Sequence, residues 1–245
     1  MLADTYVDHL RRELSAFEAE LDGDLTAAVP GCPGWNVETL VSHVGQFHRF
    51  ALLNLHAAPG AELNLDRGPA PADVTTLIPW YLEGAERLVT TLDETDPDEH
   101  RPNWAGAPTS LWYFRRVAQE MGVHRWDIQS AYGRADPIDA ALAADGIDEV
   151  GDLFAGRIDP TALGGDRTIH LHATDEELGD AGEWVFTLGD DGITVVHAHE
   201  KGDVAARATA SDLLLMLWNR VPRSETETFG DEALLDQFLG ELSGI

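Results

Sequence analysis

Apolar residues recur at intervals of three and four through the first half of the chain and at intervals of two through much of the second. Leu10, Leu14, Phe17 and Leu21 predict an amphipathic helix over Asp8–Leu21. The breaker-dense Val29-Pro30-Gly31-Cys32-Pro33-Gly34-Trp35 follows as a loop. Asn36 is placed as an N-cap, with Glu38 in the favourable first turn of a helix from Val37 to about His56. Leu77, Tyr81, Leu88 and Leu92 predict a third helix over Val74–Leu92, which Pro79 would kink or delay. The fourth spans Thr109 to about Tyr132 and closes at Gly133. The connections at 57–72 and 93–108 contain Pro and polar residues. Four helices joined this way predict a bundle, where metal sites are commonly built from facing helices.

Ile138–Phe154 predicts a fifth helix, after which the period changes. Thr168–Thr174 alternates cleanly, Glu183–Leu188 and Ile193–His199 less so, and Val204–Thr209 offers a fourth strand. Gly189-Asp190-Asp191-Gly192 is a hairpin signal. Ser211 is expected to cap an apolar helix through Leu217, and Asp231–Leu242 to form the last helix. The fold class expected is therefore α+β: a helical bundle over 1–158 and a small α+β domain over 159–245, with the change near 155–165.

A chain of 245 residues can bury one generous core or two small ones. No run of 18 apolar residues predicts a membrane span, and the acidic, polar N-terminal residues are unlike a signal peptide. A single cysteine, Cys32, excludes an internal disulfide framework and fits a reducing cytoplasm. Net charge changes the picture most. At −28, from 44 acidic and 16 basic residues, the chain has no cation excess with which to displace counterions from nucleic acid or anionic membranes. Small molecules are the expected partners. Lys201 is the sole lysine among the cations, a bias of GC-rich genomes and of high-salt proteomes.

Candidate chemistry concentrates in Arg115–Asp127. Glu120 and His124 are four residues apart, about 40° around a helix, and Asp127 returns to nearly the same face. A carboxylate and an imidazole on one face supply two ligands of a metal site that lacks a third. A surface pair has the same spacing, so spacing alone leaves both open. His43 is the best third donor, because Leu40, Val44 and Phe47 place it near a buried stripe. His48, about 140° away, is expected on the flank. The strand pairs His170/His172 and His197/His199 alternate with Ile169, Leu171, Val196 and Ala198, so they are expected on a solvent face and not as ligands. Cys32 has no paired cation nearby in sequence and is expected to be an ordinary loop residue. Arg220, after Leu217-Trp218-Asn219, is either a helix-end cation or an anion-binding group.

Pro33-Gly34-Trp35-Asn36-Val37, Leu40-Val41-Ser42-His43-Val44-Gly45 and Glu120-Met121-Gly122-Val123-His124-Arg125-Trp126-Asp127 together resemble the mycothiol-dependent maleylpyruvate isomerase family, within the DinB-like four-helix metalloproteins. Ala210-Ser211-Asp212-Leu213-Leu214-Leu215-Met216-Leu217-Trp218-Asn219-Arg220 resembles the family's C-terminal segment, which extends the similarity over nearly the whole chain. The resemblance implies His43, Glu120 and His124 as ligands of a divalent metal, usually zinc, and Arg220 as an arginine needed for activity. It also implies mycothiol or another low-molecular-weight thiol as cofactor, and isomerase or S-transferase chemistry on a small electrophile bearing a carboxylate. Asn219 stands where the family often has Gly, which makes the local backbone a point of difference. The rivals are a metal-holding stress-response protein without turnover, and an iron oxygenase with the same two-His-one-carboxylate set.

Overall fold

The computed structural model describes the chain apart from residues 59, 155–156, 160–162, 190–191 and 243–245. It divides into two compact units, Met1–Asp136 and Pro137–Ile245. The division comes earlier than the 158/159 boundary expected from the change of period. The reason is the helix that follows Pro137. Helix α5 (Ala140–Glu149), continued by a π turn over Val150–Phe154, packs against α6 (Ala210–Leu217) of the second unit. Periodicity shows that a helix exists but not what it packs against.

The first unit holds α1 (Ala3–Glu18), α2 (Val37–Leu55), α3 (Val74–Glu94) and α4 (Leu111–Ala131). Helix α1 packs on α4 and α3, and α2 on α3 and α4. Helix α1 begins five residues earlier than expected, because Tyr6 and Val7 join Leu10, Leu14 and Phe17 in the core. Asn36 caps α2 as expected, its side-chain oxygen accepting from Thr39 N at 2.9 Å. Pro79 lies inside α3 and does not delay its start, which Asp73 caps by accepting from Thr75 N. Gly133, at φ 68°, closes α4, with Gly133 N donating to Ser130 O and Arg134 N to Gln129 O. Buried polar side chains crowd α4, among them Arg125, whose Nε donates to Glu13 of α1 at 2.6 Å.

The second unit is built on a five-stranded sheet of β1 (Arg167–Ala173), β2 (Glu183–Gly189), β3 (Gly192–Val196), β4 (Val204–Ala208) and β5 (Glu227–Gly230), ordered β3-β2-β1-β4-β5. Strands β1 and β4 are parallel and the other neighbours antiparallel. Strand β5 escaped the sequence pattern: it is four residues long, and its one large apolar side chain, Phe229, is exposed. Two residues of the expected hairpin turn, Asp190 and Asp191, lie outside the described residues, and Gly189 and Gly192 pair on either side of them.

Register sorts the faces of the sheet. Ile169 lies opposite Phe186 and Val204, and Leu171 opposite Trp184 and Ala206, so these six share one buried face. Phe186 meets Phe238 of α7 (Glu232–Leu242), with ring centroids 5.6 Å apart. The other face receives His170, His172 and Glu183, the last two directly opposite each other. Thr209, and not Ser211, caps α6: its hydroxyl accepts from Asp212 N, while Ser211 Oγ accepts from Ile138 N at 3.0 Å.

Candidate metal centre

Two helices and one turn assemble the site in the first unit. Cys32 O accepts from Trp35 N at 2.9 Å, with Pro33 and Gly34 between them and Gly34 at φ 85°. That is the signature of a type II turn, with proline at the second position and glycine at the third. The turn delivers Trp35 to the site, its ring centroid 4.9 Å from that of His43 and 6.5 Å from that of His124. His43 projects from α2. Arg116, Glu120, His124 and Asp127 form a stripe along α4 at helical spacing.

The expected ligands come together. Glu120 Oε1 is 3.1 Å from His43 Nε2 and 3.3 Å from His124 Nε2, and one donor atom from each residue lies within 4.8 Å of the others. Ligand atoms around a tetrahedral zinc, each 2.0–2.1 Å from it, are separated by roughly 3.3 Å. The separations of Glu120 from both imidazoles therefore already match those around a divalent cation, and two imidazoles plus a carboxylate are a donor set that zinc accepts. Asp127, fully buried, lies 2.9 Å from His124 Nδ1, which leaves Nε2 facing Glu120 and His43. Arg116 holds the other carboxylate oxygen of Glu120 at 3.1 Å.

The electrostatics point the same way. Burial opposes the charged form of Glu120, but hydrogen bonds from His124 and His43, with the charges of His124 and Arg116, hold its carboxyl well below the usual range. Burial also opposes a charged His124, yet Asp127 and Glu120 push it up to about 9. Two carboxylates thus converge on a spot that demands positive charge, which a proton on His124 or a metal ion can supply.

Other candidates moved. His48 is fully buried, whereas His43 is 28% exposed and faces the site, the reverse of the expected burial order. Helix α2 packs closely on α3 along the His48 side. A Cβ on Gly45 would come within 2.1 Å of the Trp80 ring, and the His48 and Tyr81 rings lie 5.4 Å apart. Cys32 is not a plain loop residue, since its buried Sγ lies 3.5 Å from Asp127 Oδ2. Trp35, Arg116 and the contact of Cys32 with Asp127 were not assigned to the site from sequence. The Pro33-Gly34 turn beside the α2 cap is the signal that could have placed Trp35 there.

Arg220 belongs to the second unit. Asn219 N donates to Met216 O and Arg220 N to Leu215 O, the two-bond closure of a helix end, with Asn219 at φ 57°. Asn tolerates the left-handed conformation better than most residues, so it serves where the family often has Gly. The Arg220 side chain donates to Trp218 O at 2.8 Å and lines a cavity of about 460 Å³ with Arg223, Asp236 and Leu239. Of the strand histidines only His170 departs from the expected solvent face, with 8% of its side chain exposed against 75% for His199, and it converges with His172 and His199 on Glu183. Strand β3 ends at Val196, itself exposed, and His197 pairs with Asp148 at 3.1 Å, which separates it from His199. No helix among the described residues is long and apolar enough to cross a membrane.

Comparison with known proteins bears on the fold and the family. Two solved structures superpose with a TM-score of 0.60, each comparison covering 93% of both chains. One is described as the mycothiol-dependent maleylpyruvate isomerase, at 13% identity, and the other as a histidine-to-alanine mutant of that enzyme, at 12%. At such identity the likeness carries the fold. A search of curated proteins finds no match. The family model described as the mycothiol maleylpyruvate isomerase N-terminal domain matches residues 7–129, half of the chain, and the family's C-terminal domain model matches residues 141–237. The chain belongs to the mycothiol maleylpyruvate isomerase family.

Proposed function

We propose that the chain is a divalent-metal-dependent enzyme that uses a low-molecular-weight thiol of the mycothiol type on a small, carboxylate-bearing electrophile, as an isomerase or an S-transferase. The observation that carries this is the convergence of His43, Glu120 and His124 with Asp127 behind His124. Three protein ligands leave positions open on a metal, the arrangement of catalytic centres and not of structural ones. His43, Glu120 and His124 would hold the ion, zinc by the donor set, which would lower the pKa of a thiol bound there. Arg116 fixes the Glu120 carboxylate, Asp127 fixes the His124 ring, and Trp35 walls the site beside both imidazoles.

Thiolate addition to an activated double bond forms a C–S bond and moves the π pair toward the conjugated acyl group. Rotation about the resulting single bond, followed by elimination, returns the thiol and inverts the alkene geometry. Transfer to an electrophile carrying a leaving group keeps the C–S bond and consumes the thiol. The lone cysteine and the thiol requirement fit a reducing, cytoplasmic setting. The test is to incubate zinc-loaded protein with mycothiol and a panel of electrophiles. Catalytic thiol consumption identifies an S-transferase, and cis–trans change without consumption an isomerase. Metal and thiol binding with neither reaction would leave a binding protein and reject the proposal.

Arg220 is proposed to hold the substrate carboxylate, since a specific cation must offset the repulsion of an anion by a chain at −28. A guanidinium engages a carboxylate through two parallel hydrogen bonds that lysine cannot reproduce. Arg220→Lys should lower kcat/KM for acidic substrates about tenfold to a hundredfold, the rate equivalent of roughly 1.5–3 kcal/mol. Zinc content and turnover of uncharged electrophiles should not change. A drop in Tm with unchanged acidic-substrate kinetics would reduce Arg220 to a helix-end cation bonded to the Trp218 carbonyl.

A further inference from the structure

The face of the sheet away from its apolar core carries a second convergence of ligand atoms. His170 and His172 alternate on β1 and project together, and Glu183, at the start of β2, stands directly opposite His172. His199 reaches the same place from the irregular segment that joins β3 to β4. Glu183 Oε2 lies 2.7 Å from His170 Nε2, while Oε1 lies 2.6 Å from His172 Nδ1 and 2.8 Å from His199 Nδ1. Four ligand atoms, one from each residue, fall within 4.8 Å of one another. The three rings stand mutually edge-to-face around the carboxylate, with centroids 5.4–6.3 Å apart.

We propose that His170, His172, Glu183 and His199 form a second divalent-cation site, closed by four protein ligands and taking zinc or a related late transition metal. Three imidazoles and one carboxylate suit such ions, whereas magnesium and calcium seek all-oxygen shells. Four protein ligands complete a tetrahedron, which is the pattern of structural metal sites. Tetrahedral ligand atoms are roughly 3.3 Å apart, so the present 2.6–2.8 Å separations open by about half an ångström when the ion enters. His199, with 75% of its side chain exposed, provides the mobile ligand and the entry path, while His170 and Glu183 are the fixed base. The site's effect is to fasten the segment between β3 and β4, which has no strand ladder over 197–202, to the centre of the sheet. Hydrogen bonding alone explains the cluster less well: a single carboxylate oxygen receives two rings, and three of the chain's ten histidines gather at one point.

The experiment is metal stoichiometry on the full-length chain after zinc loading and dialysis, with folding checked by circular dichroism. The wild type should hold two equivalents and His43→Ala/His124→Ala one. Adding His172→Gln and His199→Gln to that background should remove the remaining one. If the double-alanine protein does not fold, His199→Gln in the wild-type chain serves instead, because its exposed side chain can change without disturbing the core. It should weaken one of the two equivalents at least about tenfold in chelator competition. Cobalt in place of zinc should give a tetrahedral ligand-field spectrum in the double-alanine protein. A folded double-alanine protein without zinc overturns the second site, as does an equivalent that survives loss of His172 and His199. If instead the wild type holds a single equivalent that depends on His172 and His199 alone, the second site stands and the first fails.

Discussion

His43→Ala is expected to strip the divalent ion from the helical unit and abolish metal-dependent turnover while leaving the bundle folded. His43 is the ligand best suited to this test, because it is partly exposed and its loss leaves Glu120 still held by Arg116 and His124. His124→Ala should remove the metal too, but with a stability loss. It takes away the imidazole that lies between the buried carboxylates of Glu120 and Asp127, and removing one partner of a buried ion pair costs several kcal/mol. Asp127→Asn keeps all three ligands yet no longer offers His124 Nδ1 a carboxylate, so metal affinity should fall about tenfold to a hundredfold. Metal analysis and thermal melts of the three variants distinguish these effects. Full metal occupancy in His43→Ala would remove His43 from the ligand set.

Much of this site was legible because its chemistry runs along single helices. The Glu120–His124–Asp127 stripe follows from helical repeat alone, and Asn36 marks where α2 begins and hence how His43 is phased. What spacing cannot show is which side of a helix meets a neighbour. Helix α2 is apolar over most of its circumference, so His43 and His48 both look acceptable near a buried stripe. Only the contact with α3 through Gly45 and Trp80 decides that His48 is the buried one. The burial of His170 escaped for a related reason. Ile169 and Leu171 do occupy the core face, as the alternation predicts, but an amphipathic strand does not reveal what folds over its polar side. His199 arrives there from a segment without periodicity, across 27 residues of sequence from His172. The fifth helix was visible as a helix, yet its membership in the second unit rests on α6, some 60 residues later.

His48 supplies the second large effect, on stability as a function of pH. Its ring is fully buried, and neither nitrogen has a hydrogen-bond partner among the described residues. Burial, reinforced by the positive charge of Arg49 and only partly opposed by Glu120, lowers its pKa to about 3. The folded chain therefore keeps His48 neutral, while the unfolded chain protonates it near the ordinary histidine value of about 6.5. Because the folded pKa is the lower one, this contribution to stability is complete above about pH 6.5. It declines as pH falls and is lost by about pH 3. At roughly 1.4 kcal/mol per pKa unit the whole window amounts to about 4–5 kcal/mol, of which about 2 kcal/mol is gone by pH 5. Other groups titrate in the same range, so the informative quantity is the difference between wild type and His48→Leu. Leucine removes both unpaired nitrogens and the titration while keeping an apolar side chain against Tyr81. Urea unfolding at pH 8 and pH 5 should show His48→Leu gaining about 2 kcal/mol on the wild type between the two. An equal loss in both proteins would mean that His48 takes up a proton in the fold as readily as in the unfolded chain, through a polar contact that the packing of α2 on α3 does not provide.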